Sequence, residues 1–457
     1  MTALAEPIVA IVGAGPAGVR AADALARAGL RSIVFDEAER PGGQIYRQPP
    51  AAAGRVSSGI YGFEAKKAQA IHGVLRDGQD RIDYRPRTLV WNVFERRLDL
   101  LTPDGYREQR FDHLVLATGA MDRVLPFPGW TLPGVFSLGG AQIALKAQGV
   151  SIGRRVAFVG AGPLLPLVAH QYAKAGVNVV AALDATTFGA KLAQVSGLFA
   201  SADTFAKGLC YTARNRLRGL DVRYGVRSLR VEGNGRVETL VWRDGSGEEQ
   251  RVACDAVGAS FGLRVEAQLA DLAGCRFVFA PELRQWVPER TAEGRSTVPG
   301  VYLAGDGARI GGADVAELQG ARTALAVLED LGRNVDRREV ARLDRVHARQ
   351  TRFRHALDAA YPFPGHLLDA IGDDEIVCRC EGITAGALRQ AARDKGAREL
   401  NRAKALTRIG MGRCQGRLCG ETAAELLARA CACDIESVGR LRCQPPVKPI
   451  PIVASAP

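Results

Sequence analysis

Long apolar runs are missing from this 457-residue chain. Nowhere do about 18 apolar residues follow one another, so no membrane-spanning helix is expected. Met1 to Pro7 lack a basic stretch leading into an apolar one, so a secretory signal is not expected and the cytoplasm is the natural location. Histidine is scarce, six in all, and none sits in a pattern resembling an acid–base pair; no nucleophile constellation accompanies them. Aromatic residues make up only 6%. The net charge of +12 therefore does not point to nucleic acid: the arginines are dispersed among acids and are not interleaved with stacking rings. No close cysteine pair precedes residue 378, which excludes a Cys-x-x-Cys or Cys-x4-Cys redox disulfide in that part of the chain.

What is present is the balance of a globular protein, 47% apolar and 24% charged, long enough for about two to four domains. Val9 to Val12 read as a strand, followed by Gly13-Ala14-Gly15-Pro16-Ala17-Gly18, a helix to Ala28, and a second strand, Ser32 to Phe35, ending at Asp36 and Glu37. Gly13 allows the tight turn, Gly15 lets the backbone approach a pyrophosphate, and Gly18 lets helix and strand pack closely. The helix N-terminus, with Pro16 and Ala17, presents free N–H groups to phosphates, and Asp36 stands where an acid accepts hydrogen bonds from ribose. This unit reads as the binding site for FAD.

Further motifs follow in order. A loop carries Gly42-Gly43-Gln44-Ile45; an apolar strand ends in Ala117-Thr118-Gly119; another, from Val301, ends in Gly305-Asp306 with a helix from about Ala313. An acid at Asp306 suits a sugar or ribityl hydroxyl, and the helix after it aims its N-terminus at a flavin ring. The chain also repeats itself: Val9 to Pro16 recurs as Val156 to Pro163 with seven identities in eight positions. The repeat keeps Gly160 and Gly162 but has leucine at the third glycine position, and Asp184 closes its second strand. A second dinucleotide-type fold is expected, with nucleotide binding there left open against a fold that has lost its ligand. The fold class is thus α/β: two Rossmann-like dinucleotide-binding domains and a small helical domain at the end, an arrangement that resembles the glutathione and thioredoxin reductase type. The boundaries read as 1–120 with 295–335, then 121–294, a helical connector at 336–372, a cysteine module at 373–435, and a proline-rich tail at 436–457.

In the module, Cys378-x-Cys380 and Cys414-x4-Cys419 supply four thiolates in two pairs. Zinc sites usually space a pair by two to four residues, so the tighter Cys-x-Cys favours a [2Fe-2S] cluster, with four buried free cysteines as the plain alternative. Arg379, Arg413 and Arg417 would offset the negative charge of such a cluster. From Arg333 onward there are 22 Lys/Arg and 15 Asp/Glu, 22 − 15 = +7, which this cluster explains better than a polyanion. Cys431 and Cys433 read as helix core; Cys210, Cys254, Cys275 and Cys443 are isolated and read as inert.

The order Gly-Ala-Gly-Pro-Ala-Gly, Pro-Gly-Gly-Gln, Ala-Thr-Gly, second Gly-x-Gly and Ala-Gly-Asp resembles the pyridine nucleotide-disulfide oxidoreductase class over residues 1 to about 335. The runs Gly42 to Arg47, Pro126 to Val135 and Gly410 to Arg417 resemble more narrowly the alpha subunits of heteromeric dye-linked dehydrogenases. These comprise opine oxidase, hydrogen cyanide synthase, and proline or D-hydroxyproline dehydrogenase. The cysteine module resembles the bacterioferritin-associated ferredoxin domain, departing from it in the four residues between Cys414 and Cys419. The resemblance implies a partner beta subunit, an FAD-containing amine oxidase-like protein that takes hydride from an amine or amino acid, and in some complexes a small ferredoxin-like subunit. It also implies an electron acceptor such as a quinone or dye, FMN at a subunit interface in some members, ATP or NAD(P) in the second domain, and peripheral attachment to the inner membrane through the complex. The competing expectations are a stand-alone NAD(P)H-dependent flavin and iron–sulfur reductase, and a scaffold whose flavin is structural.

Overall fold

The structure, a computed structural model, describes residues 6–49, 61–78, 80–220 and 222–452. The chain opens with β1 (Val9–Val12), α1 (Pro16–Arg27), β2 (Ser32–Phe35), β3 (Ile82–Arg85) and β4 (His113–Leu116). It then crosses to a second unit containing β5 (Val135–Ser137), α2 (Leu138–Ile143), β6 (Arg155–Gly160), α3 (Leu164–Lys174), β7 (Asn178–Asp184), β8 (Val222–Tyr224) and β9 (Ala256–Ser260). It returns to the first unit with β10 (Val301–Leu303) and α4 (Ala313–Asp330). The first sheet is parallel in the order β10-β4-β1-β2-β3. The second is parallel in the order β8-β7-β6-β9-β5.

Continuous apolar strands such as Val9-Ala10-Ile11-Val12 fit a parallel sheet covered on both faces. Alternate residues divide accordingly: Val9, Ile11 and Val115 pack with the α1 and α4 side chains, while Ala10, Val12, Leu114 and Leu116 pack on the other face. That second face is covered by an antiparallel sheet of residues 89–110 and by residues from Val265 to Val287. Residues 266–294, grouped by sequence with the second domain, therefore share the core of the first. The physical reason is that the return strand Leu263–Val265 pairs with Ala120–Asp122, so the crossover back is complete before residue 266.

The connector is one helix, α5 (Arg337–Ala360), started by Asp336, whose carboxylate accepts the Arg338 N–H at 2.8 Å. Beyond it, the short strands Ile376–Cys378 and Ile383–Thr384 pair, and three helices follow, ending with α6 (Gly420–Ala430). This module does not swing free. Its buried Leu388, Leu400 and Leu426 share one core with Leu125, Phe127 and Trp130 of the second unit. The Trp130 indole N–H donates to the Ile376 carbonyl at 2.7 Å, and the Thr422 hydroxyl to the Val124 carbonyl at 2.7 Å. The proline-rich tail lies on the chain's own surface: Val447 is buried, its N–H donates to the Trp91 carbonyl at 3.0 Å, and Lys448 pairs with Glu37.

Candidate functional site

The first glycine turn is shaped by what a side chain would strike. Gly13 has φ +106°, and a Cβ there would lie 2.3 Å from the Ala117 carbonyl oxygen; one on Gly18 would lie 1.8 Å from the Gly13 oxygen. A Cβ on Gly43 would come within 2.9 Å of the Gly15 Cα, so the loop bearing Gly43 and Gln44 rests directly on the turn. The rim at Gly15 and Gly43 is backbone only, which is what a pyrophosphate needs to come close. Pro16 opens α1 with its fixed φ, and Gly15 is the N-cap without a side chain in the way.

Asp36 ties the turn to β2: its carboxylate accepts the Ala14 N–H at 2.5 Å and the Ala38 N–H at 2.7 Å. Burial raises its pKa, and those two N–H groups oppose the rise. Each oxygen retains a lone pair for a ribose hydroxyl. Glu37 is instead engaged by Lys448 of the tail. Asp306 accepts the N–H groups of Gly311 and Gly312 at 2.7 and 3.0 Å through one oxygen; burial raises its pKa against those bonds. Its other oxygen is left for a ligand hydroxyl, and α4 starts immediately beyond. The Gly305 N–H donates to Gln319 at 3.0 Å, the Thr118 hydroxyl to the Glu266 carbonyl, and Gly119, φ +77°, faces open space. The residues named for FAD thus converge on the carboxyl ends of β1, β4 and β10, where a parallel sheet offers its ligand crevice, and they fit the group.

The second glycine turn is differently furnished. A Cβ on Gly162 would meet nothing, and the turn opens on a cavity of about 90 Å³, room for several waters. Its far wall is the connector: Arg354, Leu357 and Asp358 of α5, then Tyr361 and Phe363. Asp184 does stand at the end of β7, but its carboxylate is already used. One oxygen accepts the Thr186 N–H and hydroxyl at 2.9 and 2.7 Å; the other lies 3.1 Å from the Lys191 ammonium. Burial, the largest influence, raises the Asp184 pKa and lowers that of Lys191, and their attraction opposes both changes. The same ammonium sits 4.5 Å from the ring centres of both Tyr224 and Tyr361. Asp184, at the end of β7, is thus paired with a lysine that also lies against a connector tyrosine.

The four thiols of the module come together although 33 residues separate the pairs. The Cys419 thiol contacts both Cys378 and Cys414, and Cys414 contacts Cys380. The hydrogen bond from Cys419 chiefly pulls the Cys378 thiol down to about 6 and Cys414 down to about 5, while Cys419 rises well above the usual thiol range. The wide Cys414-x4-Cys419 spacing is absorbed by a left-handed turn, φ +51° at Gln415 and +77° at Gly416, which returns Cys419 to the start of α6. Gly412 is required beside it, since a Cβ there would sit 2.2 Å from the Cys380 Cβ. The chain of contacts 380–414–419–378 brings the two pairs together and fits a [2Fe-2S] group, whose two irons would each take a pair.

Other expectations shift. Arg417 is buried beside Cys414 and pairs with Glu266 at 2.7 Å, stitching the module to the segment after Val265. Cys433 is exposed and not helix core; Cys431 caps the end of α6 half-buried, packed against the module's core. Cys254 and Cys275 are buried, and all ten cysteines are free thiols. Sequence reasoning missed Lys191 and Tyr361, and it missed Arg123, 3% exposed, which lies between Glu421 at 3.5 Å and Glu425 at 3.2 Å with its guanidinium 4.0 Å from the Phe363 ring centre. It also missed Lys146, whose lone charge in the run Ile143-Ala144-Leu145-Lys146 was the available signal.

Comparison with known proteins agrees with this geometry. A model of the pyridine nucleotide-disulphide oxidoreductases matches residues 7–320, and a BFD-like [2Fe-2S] binding domain matches residues 376–429. An opine oxidase subunit from Rhizobium meliloti is 36% identical over 97% of this chain and 86% of its own length. Hydrogen cyanide synthase subunit HcnB of Pseudomonas aeruginosa is 33% identical over 97% of both. Among solved structures, L-proline dehydrogenase from P. horikoshii superposes with a TM-score of 0.71 over 98% of this chain and 78% of that chain, at 21% identity. No helix among the described residues is long and apolar enough to cross a membrane.

Proposed function

The chain belongs to the pyridine nucleotide-disulphide oxidoreductase family, and from that premise we propose that it is the FAD-containing, electron-transferring subunit of a heteromeric amino-acid, imino-acid or opine dehydrogenase. FAD would lie on Gly13, Gly15, Pro16, Ala17 and Gly18, with Asp36 at the adenosine ribose. Gly43 and Gln44 would lie on the flavin side, Ala117, Thr118 and Gly119 along the chain, and Gly305 and Asp306 at the ribityl or pyrophosphate region. Cys378, Cys380, Cys414 and Cys419 would hold the [2Fe-2S] cluster. Held there, the flavin would supply two-electron chemistry and the cluster one-electron chemistry, the combination needed to turn a hydride from a partner into a one-electron flow.

The observation that carries this reading is the state of the second dinucleotide fold. Lys191 neutralises Asp184, and Tyr361 and Phe363 wall the cavity beside Gly162, which favours electrons entering from a partner subunit over entry from NAD(P)H. The relatives' designation as subunits supports the same direction. Within the chain, Asp306 holds the backbone that leads into α4, and the shared core with Trp130 and Thr422 holds the thiols at a fixed place beside the second unit.

The test is to purify the chain alone and with an amine oxidase-like partner, record absorption and paramagnetic resonance spectra, and add NADH, proline or an opine. The reading expects flavin and [2Fe-2S] signals, the latter lost in Cys380→Ser, no bleaching by NADH, and bleaching by amine only with the partner. Turnover of an amine by the chain alone, or rapid bleaching by NADH, would overturn it.

A further inference from the structure

Lys146 lies in a π-helical turn, Ala144–Gln148, that continues α2, and such turns concentrate at functional positions because they re-aim a side chain. Its ammonium, 3% exposed, reaches from the second unit to the Ile45 carbonyl of the first at 2.9 Å. No carboxylate of the described residues stands within ion-pair distance of it, and burial alone pushes its pKa down to about 8. An ammonium held by one neutral carbonyl is costly to bury, and an apolar residue of similar volume would serve folding at least as well.

The carbonyls beside it are tied from within the first unit. His72 Nε2 bonds the Tyr46 oxygen at 2.8 Å, and the Tyr61 hydroxyl donates to the Arg47 oxygen at 2.8 Å. Lys146 is thus the tie that brings a charge and comes from the other unit. The loop it holds carries Gly43, packed on Gly15, and the exposed Gln44. We infer that Lys146 is a positioning residue for the flavin: it fixes the Gly43–Gln44 loop across the junction and sets behind it a positive charge that raises the flavin's reduction potential. The inference rests on the FAD reading above. Two-electron reduction with uptake of one solvent proton leaves a net negative charge on the ring, and a cation nearby favours that product.

The experiment is equilibrium reduction of the full chain against a reference dye with dithionite as electron donor, for the wild type, Lys146→Met and Lys146→Gln. Flavin content is measured in parallel. Both variants are expected to keep one FAD per chain and to show a reduced-to-oxidised ratio about tenfold lower at a given potential, which for a two-electron couple is a shift of about 30 mV. Lys146→Gln retains a donor for Ile45 without the charge, so a wild-type potential in that variant would overturn the inference, as would an unchanged potential in a flavin-replete Lys146→Met. A wild type that holds no FAD would overturn the FAD reading and this inference with it.

Discussion

A methyl group on Gly18 would have to occupy space 1.8 Å from the Gly13 carbonyl, so α1 cannot keep its place over β1 once the glycine is gone. Gly18→Ala is therefore expected to fold with reduced stability and to lose most of its flavin on purification, whereas Gly176→Ala, where a Cβ meets nothing, should retain flavin despite its positive φ. The ratio of flavin absorbance to protein distinguishes the two. Lys146 predicts a pH effect with a definite sign. Its folded value of about 8 lies below the roughly 10.4 of a free lysine, so the unfolded chain binds more protons between those values. The penalty for burying the charge is then fully present below pH 8 and is relieved as pH rises toward 10. Urea unfolding should show Lys146→Met gaining on the wild type by up to about 3 kcal/mol at pH 7, with the gap closing toward pH 10. A gap independent of pH would mean that the ammonium is not the source of the cost. At this scale the glycines and the acids at Asp36 and Asp306 could be read from sequence because backbone sterics and strand ends fix their roles locally. Lys191 and Tyr361 could not, since 170 residues separate them and only the packing of α5 brings them together.

The helices carry a second set of consequences. The α6 helix presents Glu425, 1% exposed, to Arg123 at 3.2 Å and to Arg284 at 2.7 Å. Removing the carboxylate in Glu425→Ala strands the buried Arg123 with only Glu421 near it, a change expected to cost about 3–5 kcal/mol. Replacing both partners, Arg123→Met with Glu425→Leu, should cost much less, because no uncompensated charge remains; chemical denaturation of the single and double variants measures the difference. Equal losses would show that packing, not charge, sets the cost. The elements themselves were largely legible. The β2 strand, α4 and α5 begin where apolar periodicity and capping residues place them: β2 is largely apolar, α4 opens on Gly312 and α5 on Asp336. What periodicity could not reveal was the allegiance of residues 266–294, since an apolar segment does not state which of two cores it will join.

At the scale of the whole molecule, the second fold has the outline of a nucleotide domain, and the chain's own connector forms one wall of the cavity beside its glycine turn. A Tyr361→Ala, Lys191→Ala double variant reopens that space and frees Asp184; it is expected to gain measurable NADH affinity by fluorescence titration over a wild type that shows little. Equal binding by both would mean that the connector does not close the site. The cysteine module, for its part, is bolted down by Arg123, Arg284 and Arg417 and by a core continuous with the second unit. On the proposed reading, an electron passing between flavin and cluster would meet one fixed gap and wait for no domain to swing. The transfer rate should consequently be insensitive to glycerol or sucrose added to thicken the solvent, and stopped-flow reduction across a viscosity series would register that indifference as a flat line.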